Sequence, residues 1–351
     1  TAAGLGYEFE IVSMDSLHKV RGLPQTGGAV IFDEAHLVGR RSAARTKLAQ
    51  KFRLKFEFGF CLTGTLMHAG VEKAIVVRDL AIPGASWFTN KYRFADAFDC
   101  LEVGFENRKT VGTPKMTDEL LAYLSAYTVA VSTDDVEVQA ALGLPPQIVV
   151  PLEYDMDRSA VSVLRDIAKR RIAEIGEVPQ FTSCMHEACR LGIEDKIETA
   201  LLLREFHGCP KMVMFTAYAP SLLEASVRLC EEGIPYRVID GSTSSAKRAE
   251  YVRYMRDTED PAVLLCQIDA ASVSLNLQFM HMAITLERSW KPANYDQARH
   301  RVWRRGQTET CFHYDLIHNK IQKRVYDRVV AGQRFDSSLA EYQALKSQAG
   351  F

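Results

Sequence analysis

Two groups of residues in this 351-residue chain have types and spacings suited to phosphate chemistry. In VIFDEAHLVG, residues 30–39, an apolar run leads straight into Asp33 and Glu34. At the end of a parallel strand, one such carboxylate can hold Mg²⁺, usually through water, while its neighbour orients or deprotonates an attacking water. His36 is placed to relay the state of that site to a neighbouring element. In SWKPANYDQARHRVWRRGQT, residues 289–308, Gln297, Arg301 and Arg304 follow the three- and four-residue spacing of one helix face, with Gln307 just beyond. Guanidinium groups presented together suit the charge of a transferring phosphoryl group. Each group has a plainer reading: Asp-Glu can cap a helix, and a basic helix can be a solvated face.

Elements able to position these residues run through the whole chain. Strand-like FEIVSM (9–14), AVIFD (29–33) and FGFCLTG (58–64) form a first series, with a basic helical stretch over 40–55 between the last two. A second series alternates KMVMFT (211–216), PYRVID (235–240), AVLLCQ (262–267), MAITLE (282–287) and TCFHYDL (310–316) with helices, including one expected over 293–304 and a last one over 319–332. Buried β-rich runs alternating with amphipathic helices predict βαβ units and parallel sheets. Between the series, ALGLPPQIVVPLEY (141–154) carries Gly143, Pro145, Pro146 and Pro151 and reads as an extended linker. The predicted lobes are 1–145 and 146–351, with a helical insertion over about 157–207 at the start of the second.

Composition sets the class. Apolar residues make up 47% and charged residues 25%, an ordinary water-soluble folded balance. Lys and Arg number 43 against 44 Asp and Glu, so any nucleic-acid site must be a local patch. Such patches exist: between 288 and 334 there are eleven Lys or Arg against four acids, and Arg40, Arg41, Arg45, Lys47, Lys51, Arg53 and Lys55 crowd one stretch. The eight cysteines are scattered without a CxxC pair, which fits a reducing interior, and CMHEAC (184–189) suits a half-buried helix better than a metal site. No signal peptide or membrane span is legible, so the expected location is intracellular: cytoplasm, nucleus or a virus-infected cell.

In order along the chain, SMDSL (13–17), DEAH (33–36), LTGT (62–65), LPP (144–146), KMVMFTAY (211–218), YRVIDGSTSSAKR (236–248), QIDAASVSLNLQ (267–278) and WKPANYDQARHRVWRRGQT resemble the motifs of the SWI/SNF-type family of superfamily 2 helicases and DNA translocases. The resemblance is weak in the first lobe and strong from Lys211 to Leu316. It implies an α/β fold of two RecA-like parallel-sheet lobes, the first truncated at its N-terminus, with ATP and Mg²⁺ as cofactors and duplex DNA as partner. Carried over, Asp33 and Glu34 are the acids that hold Mg²⁺ through water and activate the attacking water; His36, Arg301 and Arg304 complete the catalytic set. Thr63, Gly64, Thr65, Gln297 and Gln307 fall to the nucleotide cleft and its coupling. Ser13, Ser242, Thr243, Arg248, Asn276 and Lys291 fall to nucleic-acid binding, where hydroxyls and amides on phosphates give affinity without reading sequence. Ala271, Ser272 and Ser274 stand where the family usually has glycines, Trp303 replaces a usual histidine, Arg305 a usually apolar residue, and YTVAVSTDDV (127–136) lacks the paired arginines common there.

A phosphate loop needs G-x-x-x-x-G-K-[ST], yet the sequence contains no Gly-Lys dipeptide; GLPQTGGA (22–29) has the glycine spacing with Gly28 and Ala29 where Lys and a hydroxyl are required. The expectation is therefore the C-terminal portion of an ATP-driven duplex-DNA translocase or remodeller that cannot hydrolyse ATP alone, partnered by a missing N-terminal part or further subunits. A catalytically inactive nucleic-acid-binding or scaffold module is the alternative, and an RNA helicase the third reading.

Overall fold

The computed structural model describes residues 10–20, 27–38, 43–63, 71–84, 91–99, 101–103, 109–111, 119, 122–124, 126–129, 136–154, 156–176, 179–271, 275–288 and 292–330. The chain forms two compact units, Thr1–Ala130 and Val131–Phe351.

In the first unit, β1 (Ala29–Phe32) and α1 (Ala44–Arg53) precede β2 (Phe58–Cys61), which pairs parallel with β1 so that Ile31 faces Phe60 in register. The pairing continues past the strand ends, Leu62 N–H donating to the Phe32 carbonyl and Ala35 N–H to that of Leu62, both at 2.9 Å. Then come α2 (Val71–Ala81), α3 (Lys91–Ala97) and an antiparallel hairpin of β3 (Leu101–Val103) and β4 (Lys109–Val111). One face of the β1–β2 pair packs Phe32 against Leu17, Ala49, Phe52, Val77 and Leu80. A strand was expected over 9–14; instead residues 10–13 are irregular and Met14–Lys19 is a 3-10 helix that sets Leu17 into this core.

The basic stretch around α1 is only partly a free charged face. Arg53 is buried and its guanidinium donates to the carbonyls of Phe56 and Ala81, joining the ends of α1 and α2. Arg45 pairs with Asp15 through two bonds of 3.0 and 2.8 Å, while Lys47 and Lys51 remain exposed.

The second unit contains α4 (Val136–Leu142), β5 (Gln147–Glu153), α5 (Ala160–Ile175), α6 (Phe181–Arg190), α7 (Ile193–Phe206), β6 (Lys211–Thr216), α8 (Ala219–Glu231), β7 (Tyr236–Ile239), α9 (Ser245–Asp257), β8 (Ala262–Gln267), α10 (Ile268–Ala271), β9 (Met282–Thr285), α11 (Pro292–Arg299), β10 (Cys311–Ile317) and α12 (Lys320–Val330). Its sheet has the order β5-β10-β9-β6-β8-β7, with every pairing parallel. A parallel sheet must be covered on both faces, which is why β6, β8 and β9 are almost continuously apolar. One face packs on Val252, Met255, Ala298, Val302 and Trp303, the other on Ile193, Ile197, Leu222 and Leu229. Helices α5 and α6 share a further core with Ile321 and Val325 of α12 and Tyr295 of α11.

Residues 141–154 are not a free linker. They finish α4 and then supply β5, the edge strand on β10, with Pro151 opposite Asp315. Proline is tolerated at an edge, where one side of the strand has no ladder to complete.

Candidate functional site

Asp33 and Glu34 occupy the turn at the carboxyl end of β1. Asp33 is exposed and its Oδ1 accepts the Glu34 N–H at 3.0 Å. Glu34 has a φ of 48°, a left-handed conformation rare for a residue with a side chain and costing on the order of 1–3 kcal/mol. The strain redirects the chain immediately after the acids. His36 then bridges two motifs: its Nδ1 lies 3.2 Å from Glu34 Oε2 and 3.0 Å from Thr63 Oγ1. The β1–β2 pairing produces this contact, since it brings Thr63 level with the turn that follows β1. Gly64 and Thr65 lie outside the described residues. Hard carboxylate oxygens beside one another fit the protein's share of a Mg²⁺ shell, in which waters and substrate phosphates supply the other ligands. The lysine of a phosphate cradle has no counterpart in the sequence.

In the second unit, α11 ends at Arg299, short of the expected 304. Arg301 and Arg304, both half-buried, therefore project from the turns that follow the helix rather than from its face, while Gln297 sits half-buried on the helix itself. Those turns are fixed by segments distant in sequence. Leu277 N–H donates to the Arg301 carbonyl at 3.0 Å, and the Trp303 indole N–H to the Pro145 carbonyl at 2.8 Å. Gln307 is buried; its amide donates to the Met280 carbonyl at 2.7 Å and accepts from the N–H groups of Thr308 and Glu309. Gly306, at a φ of 96°, makes the reversal that a side chain would oppose. Gln307 thus organises the arginine turn from within, and the indole at 303 gives LPP a structural role: Cys311 N–H also donates to the Pro146 carbonyl at 2.9 Å.

Of the residues expected on nucleic acid, Ser13 is exposed. Ser242 and Thr243 both donate their hydroxyls to Asp240 Oδ1, at 2.7 and 2.8 Å, and these bonds hold the Asp240 carboxyl below its ordinary range. Arg248 is committed within the protein, donating to the carbonyls of Thr243, Ala270 and Asp240 at 2.9, 3.1 and 3.1 Å. Asn276 is exposed and its Oδ1 accepts from Arg304 at 2.6 Å. Lys291 lies outside the described residues.

Beneath these loops runs a buried polar network that the residue patterns did not reveal. Asp315 of β10 pairs with Arg288 through contacts of 2.6 and 3.1 Å and accepts from the Tyr295 hydroxyl at 2.9 Å. The Arg288 guanidinium lies 3.5 Å from the Tyr295 ring centroid and 4.2 Å from that of Tyr326. Burial pushes the Asp315 carboxyl up, but Arg288 and His313 together outweigh it and hold the group well below the usual carboxylate range. Glu287 accepts from Thr216 and Ser221 at 2.8 and 2.7 Å. Lys196, fully buried, donates to the Leu286 carbonyl and to Gln322 Oε1, both at 2.7 Å, and burial lowers its pKa to about 8. A signal for this network did exist: Glu287 and Arg288 directly follow an apolar run and Asp315 interrupts one. The partners each of them takes could not be read from sequence.

The second unit is thus an open, all-parallel α/β sheet with arginines on the turns that follow α11. Residues 195–306 match the helicase conserved C-terminal domain. An uncharacterized ATP-dependent helicase of Mycoplasma pneumoniae is 24% identical over 315 residues, covering 84% of this chain and 29% of that protein. The DNA repair and recombination protein RAD54 of rice is 31% identical over 137 residues, 38% of this chain and 14% of that protein. Among solved structures, the SWI2/SNF2 ATPase core of Sulfolobus solfataricus in complex with dsDNA aligns with a TM-score of 0.41 at 16% identity, covering 91% of this chain and 70% of that one. The chain is thus similar over residues 195–306 to helicase C-terminal domains, and more widely to an ATP-dependent helicase and to RAD54. It spans less than a third of the length of these two curated relatives. Among the described residues, no helix is long and apolar enough to cross a membrane, and no cluster of His, Cys, Asp and Glu could by itself hold a metal ion.

Proposed function

We propose that this chain contributes to an ATP-dependent translocase or remodeller that acts on duplex DNA. The observation that carries the reading is the arginine turn: segments around 145, 277 and 280 all tether the stretch that presents Arg301 and Arg304. A merely solvated basic helix needs no such anchoring. In this reading Asp33 and Glu34 serve Mg²⁺ and the attacking water, His36 with Thr63 senses their state, and the two arginines offset charge on the transferring phosphoryl group. Because no Gly-Lys pair exists in the sequence, the phosphate cradle comes from polypeptide outside these 351 residues, and the chain alone does not turn over ATP. That same absence supports a second reading, a nucleic-acid-binding module that works without hydrolysis.

Two measurements test the proposal. Equilibrium binding of the purified chain to duplex DNA, single-stranded DNA and RNA of equal length should favour the duplex and weaken steeply with salt; tighter binding to RNA would refute the duplex assignment. Steady ATP turnover by the chain alone, abolished in Glu34→Gln, would refute the need for an outside phosphate cradle. When the chain is joined to a phosphate-loop polypeptide from the same source, duplex-stimulated turnover supports the enzyme and its absence the binding module.

A further inference from the structure

We infer that the C-terminal end of α7 and the neighbouring edge of the sheet form a docking surface for a basic amphipathic helix of a partner protein, a role beyond the nucleotide and DNA chemistry above. Leu202 and Phe206 stand one turn apart on α7 and are 58% and 83% exposed. The apolar surface continues from them onto the sheet. The Phe206 ring meets the His207 ring edge-on, with centroids 5.1 Å apart, and His207 in turn lies 4.2 Å from the Phe312 ring of β10. Phe312 is level with Ile148 of the edge strand β5, and Ile148 is 43% exposed. Alternation along β5 turns Ile148 to the same face as Val150 and Leu152, which pack on the α7 side of the sheet. A parallel sheet is ordinarily covered on both faces, so an open apolar residue on the edge strand, continuous with two exposed side chains on the covering helix, marks room for another element. His207 does not interrupt the strip with charge. Its Nε2 is 2.6 Å from the Tyr314 hydroxyl, and burial, together with nearby His281, lowers its pKa below the ordinary histidine value.

Charge selects among the possible occupants. Glu198 and Glu205 stand one turn to either side of Leu202 on α7, both exposed and neither with an ion-pair partner among the described residues. Arg204 is half-buried and, two residues from both Leu202 and Phe206, lies on the opposite side of the helix. Nucleic acid and anionic membranes are repelled by such a rim. A second copy of the chain would set the same carboxylates against each other, since a two-fold contact pairs a patch with itself. Pro151 in the middle of β5 blunts the free edge against an added strand. What fits is a helix whose apolar anchors cover Leu202, Phe206 and Ile148 and whose Lys or Arg side chains reach Glu198 and Glu205.

The test uses the full chain and two fluorescein-labelled helical peptides of about 18 residues, one of Leu and Lys and one with the same Leu pattern and Glu for every Lys. Fluorescence anisotropy should show the Leu-Lys peptide bound at least about tenfold more tightly than the Leu-Glu peptide. Phe206→Ser and Leu202→Ser should each weaken the Leu-Lys peptide about tenfold, and Glu198→Gln combined with Glu205→Gln should flatten its salt dependence. Leu223→Ser, which removes a leucine 66% exposed on α8, should leave binding at the wild-type level. All these positions are exposed, so circular dichroism should match the wild type in every variant. Wild-type affinity in Phe206→Ser, an equal loss in Leu223→Ser, or equal binding of the two peptides overturns the assignment. Sedimentation of the chain alone as a dimer that Phe206→Ser converts to a monomer overturns it in favour of a second copy.

Discussion

Replacement of Arg288 by Met should cost the second unit more than any other single side-chain change in its polar interior. Asp315 is 1% exposed and Arg288 8%, so neither charge can recover hydration without opening the fold. In Arg288→Met, Asp315 keeps the Tyr295 hydroxyl at 2.9 Å and His313 Nε2 at 3.7 Å but loses both guanidinium contacts and the charge that offsets its burial. Breaking a buried pair from one side costs about 3–5 kcal/mol. For a unit of this size each kcal/mol lowers Tm by about 2–4 °C, so a fall of about 6–20 °C is expected at neutral pH. The pH dependence has a definite sign. In the wild type the folded Asp315 pKa is depressed, so its contribution is fully present above the ordinary carboxylate range and is lost as pH falls through the depressed value. In the variant burial is opposed by His313 without Arg288, so the carboxyl titrates higher than in the wild type and protonation relieves part of the penalty. The stability gap is therefore widest near neutrality and narrows in acid. Thermal and urea melts of wild type, Arg288→Met and the double variant Arg288→Met/Asp315→Leu across pH measure it. A single-variant loss under about 1 kcal/mol at neutral pH, or a double variant no more stable than the single, would refute the reasoning.

Lys196→Met should compare best with the wild type below pH 8, where the wild type buries a charged ammonium. The difference should move in the wild type's favour as pH rises from about 8 toward the ordinary lysine range, read from melts of both proteins. Gly192→Ala should destabilise by about 1–3 kcal/mol in urea melts, because a side chain at φ 74° is strained and its Cβ would meet the His318 ring at 1.9 Å. In the protein that includes a phosphate loop, Arg304→Ala should reduce duplex-stimulated ATP turnover by about 10³-fold or more with duplex affinity largely kept; unchanged turnover counts against the arginine's role.

Much of the second unit was legible in its sequence. The runs at 211–216, 262–267 and 282–285 are apolar on both faces because a parallel sheet is covered on both faces, and such runs leave few alternatives. Errors cluster where local pattern and tertiary contact disagree. QARHRVWRR has helical spacing beyond Arg299, yet the bonds from Leu277, to Pro145 and to Met280 draw the chain out of the helix. Prolines at 145, 146 and 151 suggested a linker, whereas the edge position of β5 accommodates Pro151 and the carbonyls of the other two accept from Trp303 and Cys311. Arg248, counted as a contact for nucleic acid, points its donors at three carbonyls that lie up to 22 residues away.

Sequence by itself determined the α/β class, the acid pair after an apolar strand, the ordered series of motifs and the absence of a Gly-Lys pair. These are properties of residue type and local order. Only the tertiary structure decided which charges face outward: that Arg53 and Arg248 bind backbone, that His36 stands between Glu34 and Thr63, that Arg304 leans on Asn276, and that Arg288 and Asp315 meet in the interior. A charge carries no mark in the sequence of whether its partner will be water, a carbonyl or another charge. That depends on which distant groups the sheet brings within about 3 Å, the reach of a hydrogen bond.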